Sequence, residues 1–256
     1  MNKKKSFLLI ISLVVYIIGI SFSLALNTFV LWANLEGQSF WGYPEALTYN
    51  SELTTEARLA RLNCPVILTP GETGTINVRV RNPQDAPIEA WISAHISRPG
   101  ETENMIREMR GVPLAPRESA TLSWEVTQEN VVNDRMVLAR VFLRLTERHP
   151  PARTKHCGIM TVDLWNLSSQ SILMISLGGG HLLQVGGIGL WSWGQQLGKQ
   201  KRLTRNVLIA ASLLSLAMTW GTLSHNWILS LISLMLGLLI VFTSISYSLG
   251  ITDRAN

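Results

Sequence analysis

The sequence predicts a membrane protein in which four transmembrane α-helices, arranged one plus three, flank an all-β sandwich placed between the first and second helices. Three observations predict it. Long stretches are free of Asp, Glu, Lys and Arg: Ser6 to Leu35, Asn166 to Gly198 and Asn206 to Thr252. The middle of the chain has ordinary soluble composition and short runs of alternating polarity. Basic residues gather at Lys3-Lys4-Lys5 and at Lys199, Lys201, Arg202 and Arg205.

About 20 helical residues cross the hydrocarbon of a bilayer, so charge-free runs longer than about 18 are read as spans. A basic N-terminus, 1–5, precedes the first helix, 6–34. A juxtamembrane segment, 36–62, leads into the β domain, 63–165. The second helix is 168–194, followed by a basic loop, 195–206. The last run is too long for one helix and breaks at Ser224-His225-Asn226, giving helices 207–223 and 227–250 and a tail, 251–256.

Lysine and arginine favour the cytoplasmic side, which places both basic clusters inside and the β domain outside. The expected location is therefore the plasma membrane, multi-pass, with the β domain extracytoplasmic. The net charge of +5 follows from this layout. Seven basic residues sit in the two cytoplasmic clusters, while the span 36–165 holds fourteen bases against sixteen acids. The charge is a topology signal and calls for no nucleic acid. Of the fourteen, Lys155 is the single lysine. The N-terminus also resembles a signal peptide, with small residues at Ser23 and Ala25. The apolar run continues to Trp32, longer than such a peptide needs, so an uncleaved anchor is the favoured reading.

Within 63–165, Thr75 to Val80 alternates cleanly between the Pro70-Gly71 turn and Asn82-Pro83. Ile88 to Ile96 alternates again, and Ala120 to Val126, Met136 to Leu145 and Gly158 to Leu164 follow. Period-two runs separated by Pro, Gly and Asn indicate an antiparallel two-sheet sandwich. About seven strands in roughly 100 residues is immunoglobulin-like size. Upstream, Ser51 to Leu62 reads as a short amphipathic helix with Leu53, Ala57 and Ala60 on one face. Phe40-Trp41-Gly42-Tyr43-Pro44 reads as an interfacial aromatic anchor in preference to a ligand-stacking patch.

The strings CPVILTPGETGTINVRVRNPQDAPIEAWISAHIS, VPLAPRESATLSWEV and VLARVFLRL resemble the Ig-like sandwich modules of bacterial surface and envelope proteins. The matching features are the Pro70-Gly71-Glu72 turn, the strand ending at Asn82, and the turn Pro116 to Ser119. The resemblance covers about half the chain and implies the fold, in a class that mostly binds or spaces rather than catalyses. In such a sandwich the first and last strands are commonly neighbours, which makes Cys64 and Cys157 a disulfide candidate. A loop of about 90 residues closed that way contributes up to ~4 kcal/mol. The competing reading is a metal site from His149, His156, Cys157 and Met160, with His95 at the end of a strand. Cupredoxin-like copper sites use two His, a Cys and a weak Met. That family places a His between its late Cys and Met, where this chain has only Gly158-Ile159. No metal or cofactor is therefore expected.

In the second helix Gly180, Gly187 and Gly194 recur every seventh position, and Ser230, Gly237 and Ser244 do so in the fourth. Small residues on one face let helices approach in lipid. His181 and Gln184 lie near the middle of the second helix. Polar groups at that depth mark a candidate site. The plainer reading is a hydrogen bond from His181 to a serine of the fourth helix. P-loop, GxGxxG, HExxH, GxSxG and CxxC motifs are absent. The favoured expectation is a non-enzymatic, membrane-anchored accessory protein. Its partners would be the bilayer and either another membrane or envelope protein or a second copy of the chain. A transport or channel component using His181 and Gln184 is the first alternative, and a redox or metal protein the second.

Overall fold

The computed structural model describes residues 3–41, 58–100, 105–144, 153–194 and 199–248. The chain forms two compact units, one of Trp32–Ser169 and one of Met1–Leu31 with Gln170–Asn256.

The first unit is built of eight strands among the described residues: β1 (Arg58–Asn63), β2 (Ile67–Leu68), β3 (Gly74–Arg81), β4 (Ile88–Ser97), β5 (Met105–Leu114), β6 (Ser119–Val126), β7 (Met136–Arg144) and β8 (Arg153–Thr161). They form a three-stranded sheet, β1-β3-β6, and a five-stranded sheet, β2-β8-β7-β4-β5. All pairs are antiparallel except β2 with β8. The predicted alternation holds on β3, where Ile76, Val78 and Val80 are buried and Thr75, Arg79 and Arg81 are exposed. Those apolar side chains join Trp124 and Val126 of β6, Ile92 and Ile96 of β4, Val141 of β7 and Ile159 of β8 in one core shared by both sheets.

The five-stranded sheet is also covered on its second face. The helix α1 runs from Lys3 to Trp41, and its last turns lie on β8 and β7. Gly158 permits this approach, because a Cβ there would collide with the Ala33 carbonyl and stand 2.8 Å from the Asn34 nitrogen. The Gly158 amide donates to Asn34 Oδ1 at 3.3 Å.

Two expectations change here. The first helix does not end at 34, because Glu36 ends an apolar run without ending a helix, and Asn34 and Gln38 are buried within the unit. Residues 58–62 are strand, not helix; the remainder of the expected helix, 51–57, lies outside the described residues. Of the aromatic cluster, Trp41 is buried and Phe40 exposed, while 42–44 are not described.

The second unit holds the N-terminal part of α1 with α2 (Ser169–Leu173), a π-helical stretch Met174–Gly179, α3 (Gly180–Gly194), α4 (Lys199–Leu223) and α5 (Trp227–Ser248). Four helical segments are long and apolar enough to cross a membrane: Phe7–Trp41, Ser169–Trp193, Leu203–Leu223 and Trp227–Ser244. The expected basic loop 195–206 is helical from Lys199 onward. The predicted break between the last two helices is present. His225 adopts a left-handed φ of 53°. Asn226 Oδ1 then accepts from the Leu229 amide at 3.1 Å, capping α5.

Candidate functional site

Cys64 follows β1 directly and Cys157 lies in β8, so the pair joins the two sheets at their core. The disulfide is formed, with Cα atoms 6.6 Å apart. It removes the thiolate that the His149, His156, Cys157 and Met160 set would need for copper. His149 lies outside the described residues. Met160 is buried at the end of β8, and among the described residues no group of three His, Cys, Asp or Glu is placed to hold a metal.

On the second face of the five-stranded sheet, β7 carries Arg140 between apolar neighbours. Its guanidinium stacks 4.7 Å from the ring centroids of both Trp41 and Phe142. Nη1 donates to the Trp41 carbonyl at 2.9 Å, supplying a cation to the C-terminal end of α1, which has none in its own last turn. Burial, and then the nearby Arg107 charge, lower the Arg140 pKa. Phe142 also stacks edge-on against His95 at 4.5 Å. Sequence reading overlooked this cluster. Its signal was present, since Leu138 and Phe142 alternate with the core residues Val137, Ala139 and Val141. A strand apolar on both faces is covered on both.

In the helical unit a polar seam runs along α1 at Ser12, Tyr16, Gly19, Ser23 and Asn27, one helical face. Ser12 donates to the Gly187 carbonyl at 2.8 Å, and Tyr16 to the Leu208 carbonyl at 2.9 Å. Gln184, only 1% exposed, donates to Ser23 Oγ at 3.2 Å and reaches Ser215 Oγ at 3.5 Å. His181 Nε2 lies 3.0 Å from Thr219 Oγ1, which also accepts from Asn27 Nδ2 at 2.9 Å. The hydroxyl can therefore accept from the amide and donate to the imidazole. His181 thus meets a threonine of α4, not a serine of α5.

The glycine stripe of α3 packs on α1. A Cβ on Gly187 would stand 2.8 Å from Tyr16 Cβ, and one on Gly180 would strike Ser23 Oγ and approach the Gly19 carbonyl to 2.9 Å. Both face α1. On α5, Ser230 is buried and donates to the Met218 carbonyl at 3.3 Å. A Cβ on Gly237 meets nothing within 4 Å, and Ser244 bonds back to Ile240 of its own helix. Gly194 ends α3, and its surroundings are not described.

No protein-family model matches this sequence, and no curated protein sequence does. Among solved structures, the chain is similar to the CARDB domain of the PF1109 protein from Pyrococcus furiosus, whose crystal structure is a complex with di-metal ions. That similarity is at 12% identity, covering 42% of this chain and 86% of that one, with a TM-score of 0.31. A solution structure of the same domain gives 0.33. A β-glucosidase from Listeria innocua is similar over 43% of this chain and 16% of its own, at 19% identity and a TM-score of 0.31. Similarities this low assign no activity to the chain.

Proposed function

We propose that this chain is a non-enzymatic, multi-pass membrane protein that presents an Ig-like β domain outside the cytoplasm to another membrane or envelope protein. The observation that carries this reading is the Cys64–Cys157 disulfide. Such bonds persist in oxidising compartments, the side to which the basic clusters also assign the domain. β5 supplies a surface suited to a partner. It is a ten-residue edge strand of its sheet, with Ile106 and Met109 each 38% exposed. Unpaired edges pair readily with an added strand.

Alkaline phosphatase fusions after Gly100 and after Lys201 test the sidedness, with activity expected from the first only. A photo-crosslinking residue at Ile106 tests the edge in cells and should yield a discrete adduct with one envelope protein, lost when Met109 is replaced by proline. Equal reporter signals, or no adduct from any β5 position, reject the reading.

The half-buried His181, with buried Gln184 and Thr219, favours a second reading, in which the helical unit conducts a small polar solute. An effect of His181→Asn on transport, with folding unchanged, would select it.

A further inference from the structure

The three-stranded sheet carries a charge pattern that its own stability does not explain. Across the β1–β3 ladder, Arg61 stands opposite Arg79 and Arg58 opposite Arg81. Like charges directly opposite one another destabilise a sheet. Arg79 and Arg81, two positions apart, emerge on one face about 7 Å from each other. β6 sets Ser119 opposite Arg81, and Arg117 precedes it in the turn. Arg61, Arg79, Arg81, Arg117 and Ser119 line one open concavity of about 480 Å³.

Asp85 engages Arg117 through both carboxylate oxygens, at 2.7 and 2.9 Å. Arg61, Arg79 and Arg81 are exposed and enter no ion pair among the described residues. Composition does not force the cluster, since acids outnumber bases between 36 and 165. The planar guanidinium fork matches oxyanions through paired hydrogen bonds.

We propose that the Arg61, Arg79, Arg81 and Ser119 concavity binds a multiply charged phosphate group. Three unpaired guanidiniums balance a phosphate bearing two or more charges, which a single carboxylate would leave in excess. Ser119 adds a hydroxyl, and Asp85 holds Arg117 at the rim. The ligand offsets the repulsion between β1 and β3, so binding and sheet stability are opposed in the empty protein. This deepens the proposed function by naming a ligand class for the β domain, and it rests on that reading only for the side on which the phosphate is met.

The test uses the full chain in nanodiscs of zwitterionic lipid, titrated calorimetrically with inorganic tripolyphosphate. Saturable binding is expected, weakening about tenfold or more in Arg79→Gln and in Arg81→Gln, as loss of a charge-assisted pair implies. The same variants, without ligand, should melt at a higher temperature than the parent. Vesicles containing phosphatidic acid, whose phosphomonoester can carry two charges, separate the sources: arginine-dependent co-sedimentation identifies a lipid headgroup, and tripolyphosphate binding alone identifies a soluble phosphate. Absence of saturable binding to either, undiminished binding by the variants, or a lower melting temperature in Arg79→Gln overturns the proposal. None of these outcomes depends on the β5 crosslink, so the two readings fail separately.

Discussion

The two units of this chain are built inside out relative to each other. In the β domain Ile76, Val78 and Val80 are buried while Arg79 and Arg81 face outward. In the helical unit Ser12, Ser23, Asn27 and Gln184 are buried, whereas Leu182, Trp220 and Phe242 are 70–75% exposed. An apolar exterior around a polar seam is stable in hydrocarbon, where buried polar groups find partners on neighbouring helices. The inversion is consistent with a multi-pass membrane protein. It also means that the two units are held by different forces. Hydrophobic burial and a disulfide secure one; close backbone approach and hydrogen bonds secure the other.

Replacing both Cys64 and Cys157 by serine probes that difference most strongly. The β domain should lose about 2–4 kcal/mol, the usual contribution of a disulfide that closes a long loop. Hydrogen exchange read by mass spectrometry should show faster exchange in β7 and β8 with α3 and α4 unchanged. Equal loss of protection in the helices would mean that the units do not differ in what holds them.

Close approach is tested next by Gly187→Leu against Gly237→Leu. The first forces a side chain into Tyr16 and should destabilise the helical unit by about 1–3 kcal/mol in detergent titration, while the second meets open space and should be near neutral. His181→Asn keeps a polar group near Thr219 and should cost less than about 1–2 kcal/mol, the range for one hydrogen bond between such helices. If Gly237→Leu were the damaging change, the assignment of α1 as partner of the glycine stripe would be wrong.

The smallest effect concerns acid. Burial raises the Glu72 pKa, but hydrogen bonds from Thr69 and Ser169 outweigh it and leave the folded value below the ordinary 4.5 of a glutamate. A depressed carboxyl contributes stability above its unfolded pKa, which is lost as pH falls through the folded one. Glu72→Gln should therefore flatten the acid limb of β-domain stability below about pH 4.5 and leave α4 and α5 untouched. An acid limb unchanged by the substitution would remove Glu72 from the account.

Much of this was legible in the sequence, and the failures share a cause. Alternation found β3 and β4 because Ile76, Val78 and Val80, and Ala90, Ile92, Ala94 and Ile96, recur at every second position. It missed β1 because a bulge between Leu59 and Arg61 shifts the phase, leaving Leu59 and Leu62 at the spacing of a helix. β5 was missed because an edge strand that is exposed along most of its length carries little alternation. The disulfide was found because the first and last strands of such a sandwich are commonly neighbours, which brings Cys64 near Cys157. Period alone showed which small residues share a helical face. It cannot name the neighbour, which for Gly180 and Gly187 is α1, at Gly19, Ser23 and Tyr16. Arg140 was overlooked because Trp41, on which it stacks and to which it donates, is distant along the chain.

The π-helical stretch Met174–Gly179 sets the phase of everything after it. Buried positions on this segment are Ile172, Leu177, Gly180, Gln184 and Gly187, so the first step spans five residues and the rest three or four. A π turn accommodates one residue more than the α-helical face uses. Losing the exposed Met174 would convert the turn to ordinary helix and keep Gln184 in line with Ile172. Losing one residue between His181 and Gln184 would swing the amide about 100° out of the seam. Length variation among descendants of this sequence should therefore collect at 174–179, and a gap there would leave the polar seam intact.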